Sequence, residues 1–311
     1  MKTSKILIKP ILFIILGLIV ISGCDREETL QPTTIFEGEA ESTDPLDIFL
    51  KQEFRDPYGC DVIYKFVDRY IDPTKSAVPP RRDVVQPIAE LIKQAWIEPY
   101  NKASDQGEDF LKTYFPAEIV LIGSPLFNGD GTITLGVADA GVRVTLTQAN
   151  EYAPNNTAWI IQTFRTLHHE FAHIVDQNFN FDVESFFKIS SDDYTSQGTW
   201  TTLIEGGNEN STASINNAIV RGMVTPYGTS SVAEDFAEII ARIVTTDPAV
   251  FEATYITPID CSAAGAPANC AEINTGKARI KQKYDAVVKY MKEDVGIDLL
   301  TVRDEFLNSI N

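Results

Sequence analysis

Apolar residues return at helical spacing in several stretches of this chain and cluster into shorter β-rich runs in between. Ile88, Leu91, Ile92 and Ala95 predict a helix over Val84 to Tyr100, after the break at Pro79-Pro80, and a shorter helix is expected over Asp109 to Tyr114. Strands are predicted at Val62 to Phe66, Ala117 to Ile122, Ile133 to Val137 and Val142 to Leu146, with a turn at Asn128-Gly129-Asp130-Gly131. From Trp159 to Gln177 the residues Ile160, Phe164, Leu167, Phe171 and Ile174 make one apolar stripe of a longer helix. Val232, Phe236, Ile239, Ile240 and Ile243 mark a second helix starting at Ser231. Ala278 to Glu293 and Leu299 to Ile310 are expected to be helical, broken at Gly296. A small sheet followed by helices predicts an α+β fold.

The N-terminal end follows a different pattern. Lys2, Lys5 and Lys9 precede the uncharged stretch Ile11 to Ile21, so residues 1–23 are expected to be a signal peptide. The stretch ends in Ile21-Ser22-Gly23-Cys24, which resembles the bacterial lipobox, where cleavage precedes the cysteine and its thiol carries lipid. A plain secretory signal and a retained anchor are the alternatives, although the stretch is short for a full span. Residues 24–45 are polar and read as a flexible tether, leaving 46–311 as one large domain or two closely packed lobes. Asp25-Arg26-Glu27-Glu28 resembles the acidic export tags of surface lipoproteins, and reads equally as a solvated acidic tether.

Charge narrows the partners. The chain carries a net −18, and removing residues 1–23 takes away three lysines and no acid, giving −21. Such acidity argues against nucleic acid and against adhesion to anionic lipid, so the lipid on Cys24 must hold the protein at a membrane. Cys261 and Cys270 bracket a small-residue loop, and an exported protein favours a disulfide between them. Cys60 is left over, with no metal-ligand spacing around it.

All three histidines lie in Leu167-His168-His169-Glu170-Phe171-Ala172-His173. On a helix, His169 and His173 share a face outside the apolar stripe, where both can reach one zinc ion, and Glu170 can then take a proton from a water that the ion activates. A catalytic zinc needs a third protein ligand and an open position. His168 points about 100° away from His169 and cannot readily supply that ligand, so it must be a carboxylate. Asp176 is close in sequence but too far along the helix, and is expected to orient a ligand histidine instead. Glu234 and Glu238, one turn apart on the second helix, are the better candidates; Glu234 also fits a capping box with Ser231, and Asp235 fits a favourable charge at a helix start. Tyr227, seven residues before Glu234, tips the choice, because a phenol there can donate to an oxyanion.

The run His169-Glu170-Phe171-Ala172-His173-Ile174-Val175-Asp176, with Tyr227 and Glu234-Asp235-Phe236-Ala237-Glu238, resembles the lethal-factor-type and Pro-Pro-endopeptidase zinc peptidases over about residues 160–244. Together with the lipobox it is more similar to the substrate import-associated zinc metallohydrolase lipoproteins, found beside TonB-dependent import systems. The resemblance implies a zincin-like, gluzincin-type fold with a cleft-lining edge strand. It also implies zinc on His169, His173 and Glu234, Glu170 as base, Tyr227 as oxyanion donor and Glu238 behind the ligands. The function so implied is peptide hydrolysis by a lipoprotein of the Gram-negative outer membrane that supports nutrient import. The alternative is a surface lipoprotein that keeps the zinc-bearing fold but only binds a peptide or glycan. Tyr194 to Asn210 reads as a cleft lid or a surface loop.

Overall fold

The computed structural model describes residues 42–65, 68–128, 133–134, 136–139, 142–195 and 198–310. The leader, Cys24, most of the tether and the turn residues Gly129, Asp130 and Gly131 lie outside these. Thr43–Asn311 forms one unit. Its first helix, α1 (Pro45–Leu50), starts where Asp44 accepts the Leu46 backbone N–H at 2.9 Å and Pro45 opens the first turn.

Strands β1 (Asp61–Ile63), β3 (Glu118–Leu121) and β7 (Arg143–Leu146) run parallel side by side, and β6 (Gly136–Asp139) closes the order β1-β3-β7-β6 as an antiparallel edge. Ile119, Val120 and Leu121 are all buried, which is why β3 reads as an unbroken apolar run rather than an alternation. A second, antiparallel sheet joins β2 (Lys75–Ser76), β4 (Leu126–Asn128) and β5 (Ile133–Thr134). The run Ile133 to Val137 is therefore two strands in two sheets, where the sequence predicts one.

The predicted helix over Val84 to Tyr100 is longer and not uniform. It consists of α2 (Arg82–Ile92), a wider π turn at Lys93–Ile97, and α3 (Glu98–Ala103). Val85, Ile88, Trp96 and Tyr100 keep one side buried throughout. After α4 (Glu108–Tyr114) and the sheets comes α5 (Thr157–Asn178), capped by Asn156, whose side chain accepts the Trp159 N–H at 3.2 Å. On its core side Phe171 is fully buried, edge-on to Trp96 at 5.5 Å and to Tyr100 at 5.0 Å between ring centres. Those contacts fix the rotation of α5, and so the direction in which its histidines point.

Helix α8 (Val232–Thr245) packs on α5; Ser231 caps it, its hydroxyl accepting the Glu234 N–H at 3.2 Å. Between them in sequence lie the short α6 (Val183–Lys188) and α7 (Thr212–Val220), which the apolar pattern does not reveal. The chain then continues through α9 (Cys270–Glu293), which packs on α7, and α10 (Leu299–Ser309), which packs on α3 and α8. Helix α9 begins eight residues before the predicted start at Ala278. Its first turns hide their burial in polar residues: Lys277 is buried with its ammonium donating to the carbonyls of Ala253 and Thr257, each at 2.8 Å. Gly276 makes that packing possible, since a Cβ there would fall 1.7 Å from the Ile219 carbonyl oxygen. Cys261 and Cys270 are disulfide-bonded, and Cys60 is a buried free thiol. No helix among the described residues is long and apolar enough to cross a membrane.

Asp235 is not a solvated charge at a helix start. It is buried, 2.6 Å from the ammonium of the fully buried Lys283 on α9, and accepts the Tyr194 hydroxyl at 2.7 Å. Lys283 also donates to the Gly222 carbonyl at 2.9 Å. Burial pushes the Asp235 pKa up and that of Lys283 down, while each charge holds the other ionised. The pair ties the first turn of α8 to α9. Asp235→Ala leaves Lys283 buried and uncompensated, so denaturant unfolding is expected to show a loss of about 3–5 kcal/mol.

Candidate metal centre

The faces of α5 and α8 that meet carry the polar residues singled out by the sequence. His169 Nε2 and His173 Nε2 lie 3.2 Å apart, and Glu234 Oε2 stands 3.0 Å from the first and 3.3 Å from the second. The three atoms form a nearly equilateral triangle. Ligands about 2.0–2.1 Å from a tetrahedral zinc stand roughly 3.3 Å from one another, so the triangle has the size of one face of that tetrahedron. Glu234 Oε2 is buried beside the two imidazole nitrogens, and their contacts hold the carboxyl well below the usual carboxylate range against the effect of burial. An acceptor aimed at two other potential ligand atoms fits a cation between them. Glu170 supplies a further carboxylate to the group with His169 and His173.

Behind the triangle, Glu238 Oε1 lies 2.7 Å from His169 Nδ1, and the Thr225 hydroxyl donates to the Glu238 carboxylate. That contact puts the proton of a neutral His169 on Nδ1 and turns Nε2 toward the metal position. Asp176 is half-buried near Tyr290 of α9; the His173 charge acts on its carboxyl through space, with no hydrogen bond to His169 or His173. Glu238, the other residue expected behind the ligands, is the one beside His169, because α8 crosses α5 at that level. His168 is fully buried beside Tyr100, whose hydroxyl lies 3.4 Å from Nδ1; burial drops its pKa to about 3 and keeps it neutral.

Without metal the charges of the triangle are coupled. Burial opposes protonation of His169, but the neighbouring Glu234 and Glu238 carboxylates outweigh it and raise its pKa to about 10. Zinc binding must then expel a proton that His169 holds at neutral pH. Titration calorimetry in buffers of different ionisation enthalpy is expected to show about one proton released per zinc at pH 7.5, and no release contradicts this reading. Glu238→Ala should weaken zinc binding by about 10- to 100-fold in a chelator competition, with the fold retained.

Glu170 is half-buried, and burial, with a further push from Glu234 and Glu238 and against the pull of His169 and His173, raises its pKa. Tyr227 opens a short 3-10 turn (Tyr227–Ser230), with its ring centre 5.8 Å from that of His169. Burial and the adjacent Glu234 carboxylate raise the Tyr227 pKa, so the phenol keeps its proton and remains a donor. His169, Glu170, His173, Tyr227, Glu234 and Glu238 are thus brought together at one place.

The sequence profile of the family described as "putative zinc-binding metallo-peptidase" matches residues 39–300, nearly the whole of the described domain. This chain belongs to that family. A crystal structure from Bacteroides caccae, titled as a "putative zinc-binding metallo-peptidase", is similar to this chain at 30% identity, over 85% of this chain and 91% of that one, with a TM-score of 0.64. Among curated proteins there is no match.

Four further residues of this chain lie around the centre without having been found by motif. Trp200, in the 3-10 turn Trp200–Leu203, stands edge-on to Tyr227 at 5.0 Å, so part of the Tyr194 to Asn210 segment borders the site. Glu209 accepts the Tyr227 backbone N–H. Arg165 and Arg242 lie one turn beyond His169 and Glu238 on their helices. The spacing of four was visible in the sequence, but it has meaning only once the two helices are known to pack together.

Proposed function

We propose that this chain is a zinc peptidase in which His169, His173 and Glu234 hold the metal, Glu170 is the general base and acid, and Tyr227 is the oxyanion donor. The observation that carries the reading is the buried Glu234 oxygen completing a zinc-sized triangle with two imidazole nitrogens. Bound zinc supplies a Lewis acid that polarises the scissile carbonyl and acidifies water. Glu170, its affinity for a proton raised by burial, takes the proton of the attacking water and delivers it to the leaving amine. Tyr227 keeps its proton and donates to the oxygen on which negative charge develops. Glu238 holds His169 in the ligating tautomer throughout.

Binding alone requires neither a base nor a phenol, and their presence beside the metal position favours hydrolysis over the peptide- or glycan-binding alternative. Zinc-loaded protein incubated with a peptide library and read by mass spectrometry is expected to yield defined cleavage products that a chelator suppresses. A library left intact by protein holding one zinc supports the binding alternative instead. The place of action belongs to the same proposal: lipid on Cys24 anchors the protein at the Gram-negative outer membrane, a polar tether holds the domain off the surface, and cleaved peptides pass to a TonB-dependent import system. The lipobox-like Ile21-Ser22-Gly23-Cys24 supports that placement.

A further inference from the structure

Two arginines flank the candidate metal centre, each with a side-chain hydrogen bond but no direct ion pair among the described residues. Arg165 precedes His169 by four residues on α5 and Arg242 follows Glu238 by four on α8, so each lies about 6 Å along its helix from the centre. Arg165 Nε donates to Thr245 Oγ1 at 3.3 Å, which brings its guanidinium to the turn of α8 that carries Arg242. Burial and the nearby Arg242 charge lower the Arg165 pKa to about 10. Arg242 is 8% exposed; its Nη2 donates to Asn210 Oδ1 at 2.6 Å, and its Nε is buried without a partner.

Neither guanidinium makes an ion pair among the described residues. Glu238 is engaged with His169 and Thr225, and Glu209 with the Tyr227 N–H; both carboxylates act on Arg165 only through space. Arg242 is buried and Arg165 half-buried, Glu209 and Glu238 act on both through space, and each guanidinium still offers N–H donors of its planar fork to a carboxylate.

We propose that Arg165 and Arg242 form a subsite for a carboxylate of the peptide substrate, one helix turn from the metal centre. The inference rests on the peptidase reading and adds a substrate class to it. An extended peptide rises about 3.3 Å per residue, so the carboxylate lies within one or two residues of the scissile bond. A peptide's terminal carboxylate and an Asp or Glu side chain offer the same planar oxygens to the fork.

The test uses Glu170→Gln protein loaded with zinc, so that peptides bind without being cut, and reads fluorescence anisotropy. Three matched pools of labelled peptides serve as probes: one with Asp or Glu at a fixed position and a free C-terminus, one with Asn or Gln instead, and one amidated at the C-terminus. One of the two amide replacements is expected to weaken binding at least tenfold, and which one does so identifies the carboxylate. Arg165→Gln in the same background should erase the difference. Arg242→Lys, which keeps the charge but not the fork, is the second variant should the first not fold, and should reduce the preference at least threefold. Equal binding of all pools, no binding of any, or a preference that survives in the folded variants overturns the subsite. Failure of the parent protein to cleave peptides, with the preference intact, contradicts the peptidase reading alone.

Discussion

Glu170→Gln is expected to leave one zinc bound and to lower turnover of a cleavable peptide by at least about 100-fold. The substitution is nearly isosteric and Glu170 is not one of the three atoms of the triangle, so the metal position is untouched. What is lost is the group that accepts the water proton and returns it. In the parent protein the raised pKa of Glu170 also sets a pH limit: kcat/KM is expected to fall as pH drops through that raised value, because protonated Glu170 cannot act as base. The acid limb should vanish from whatever residual rate the variant retains. Unchanged turnover in Glu170→Gln removes Glu170 from the mechanism.

Glu234→Ala is expected to lose zinc as well as activity. Deleting this carboxylate takes away one vertex of the triangle and leaves two imidazoles, fewer protein ligands than catalytic zinc sites use. The competing explanation of Glu234 as a helix cap makes a different prediction. Ser231 accepts the Glu234 backbone N–H, a bond that survives truncation of the side chain. A capping role therefore predicts full zinc occupancy and a stability loss of about 1 kcal/mol. Zinc content and thermal unfolding measured on the same sample separate the two, and Ser231→Ala serves as the control that should weaken the helix while keeping the metal.

The legible part of the centre was local. His169, Glu170 and His173 could be read because ligand spacing and helical period coincide within one turn and a stripe of apolar residues marks the opposite face. Elimination and the spacing from Tyr227 only suggested Glu234, the family resemblance assigned it, and its placement depends on α8 crossing α5, a contact between residues more than sixty positions apart. The supporting groups were harder for the same reason. Asp235 has a sufficient local explanation at a helix start, and nothing near it signals Lys283, forty-eight residues later, as its buried partner. Asp176 and Glu238 were both expected behind the ligands, the first from its place along α5 and the second from the resemblance, and it is Glu238, on another helix, that lies beside His169.

The fold shows the same division. Strand β3 and helix α5 were legible, since burial writes a clear apolar pattern there. The early turns of α9 were less so, because beside the buried Cys270 and Ile273 they bury Lys277 and Gly276 through carbonyl contacts and close backbone approach. Likewise Ile133 to Val137 carries one β-rich run that the structure divides between two sheets.

The measurement that bears most directly on the account is X-ray absorption at the zinc edge of the zinc-loaded protein. Two imidazole nitrogens at about 2.0–2.1 Å, with oxygen ligands completing a four- or five-coordinate shell and no sulfur, are the predicted result. A sulfur ligand, a single imidazole, or an all-oxygen shell would place the metal elsewhere and contradict the centre built from His169, His173 and Glu234.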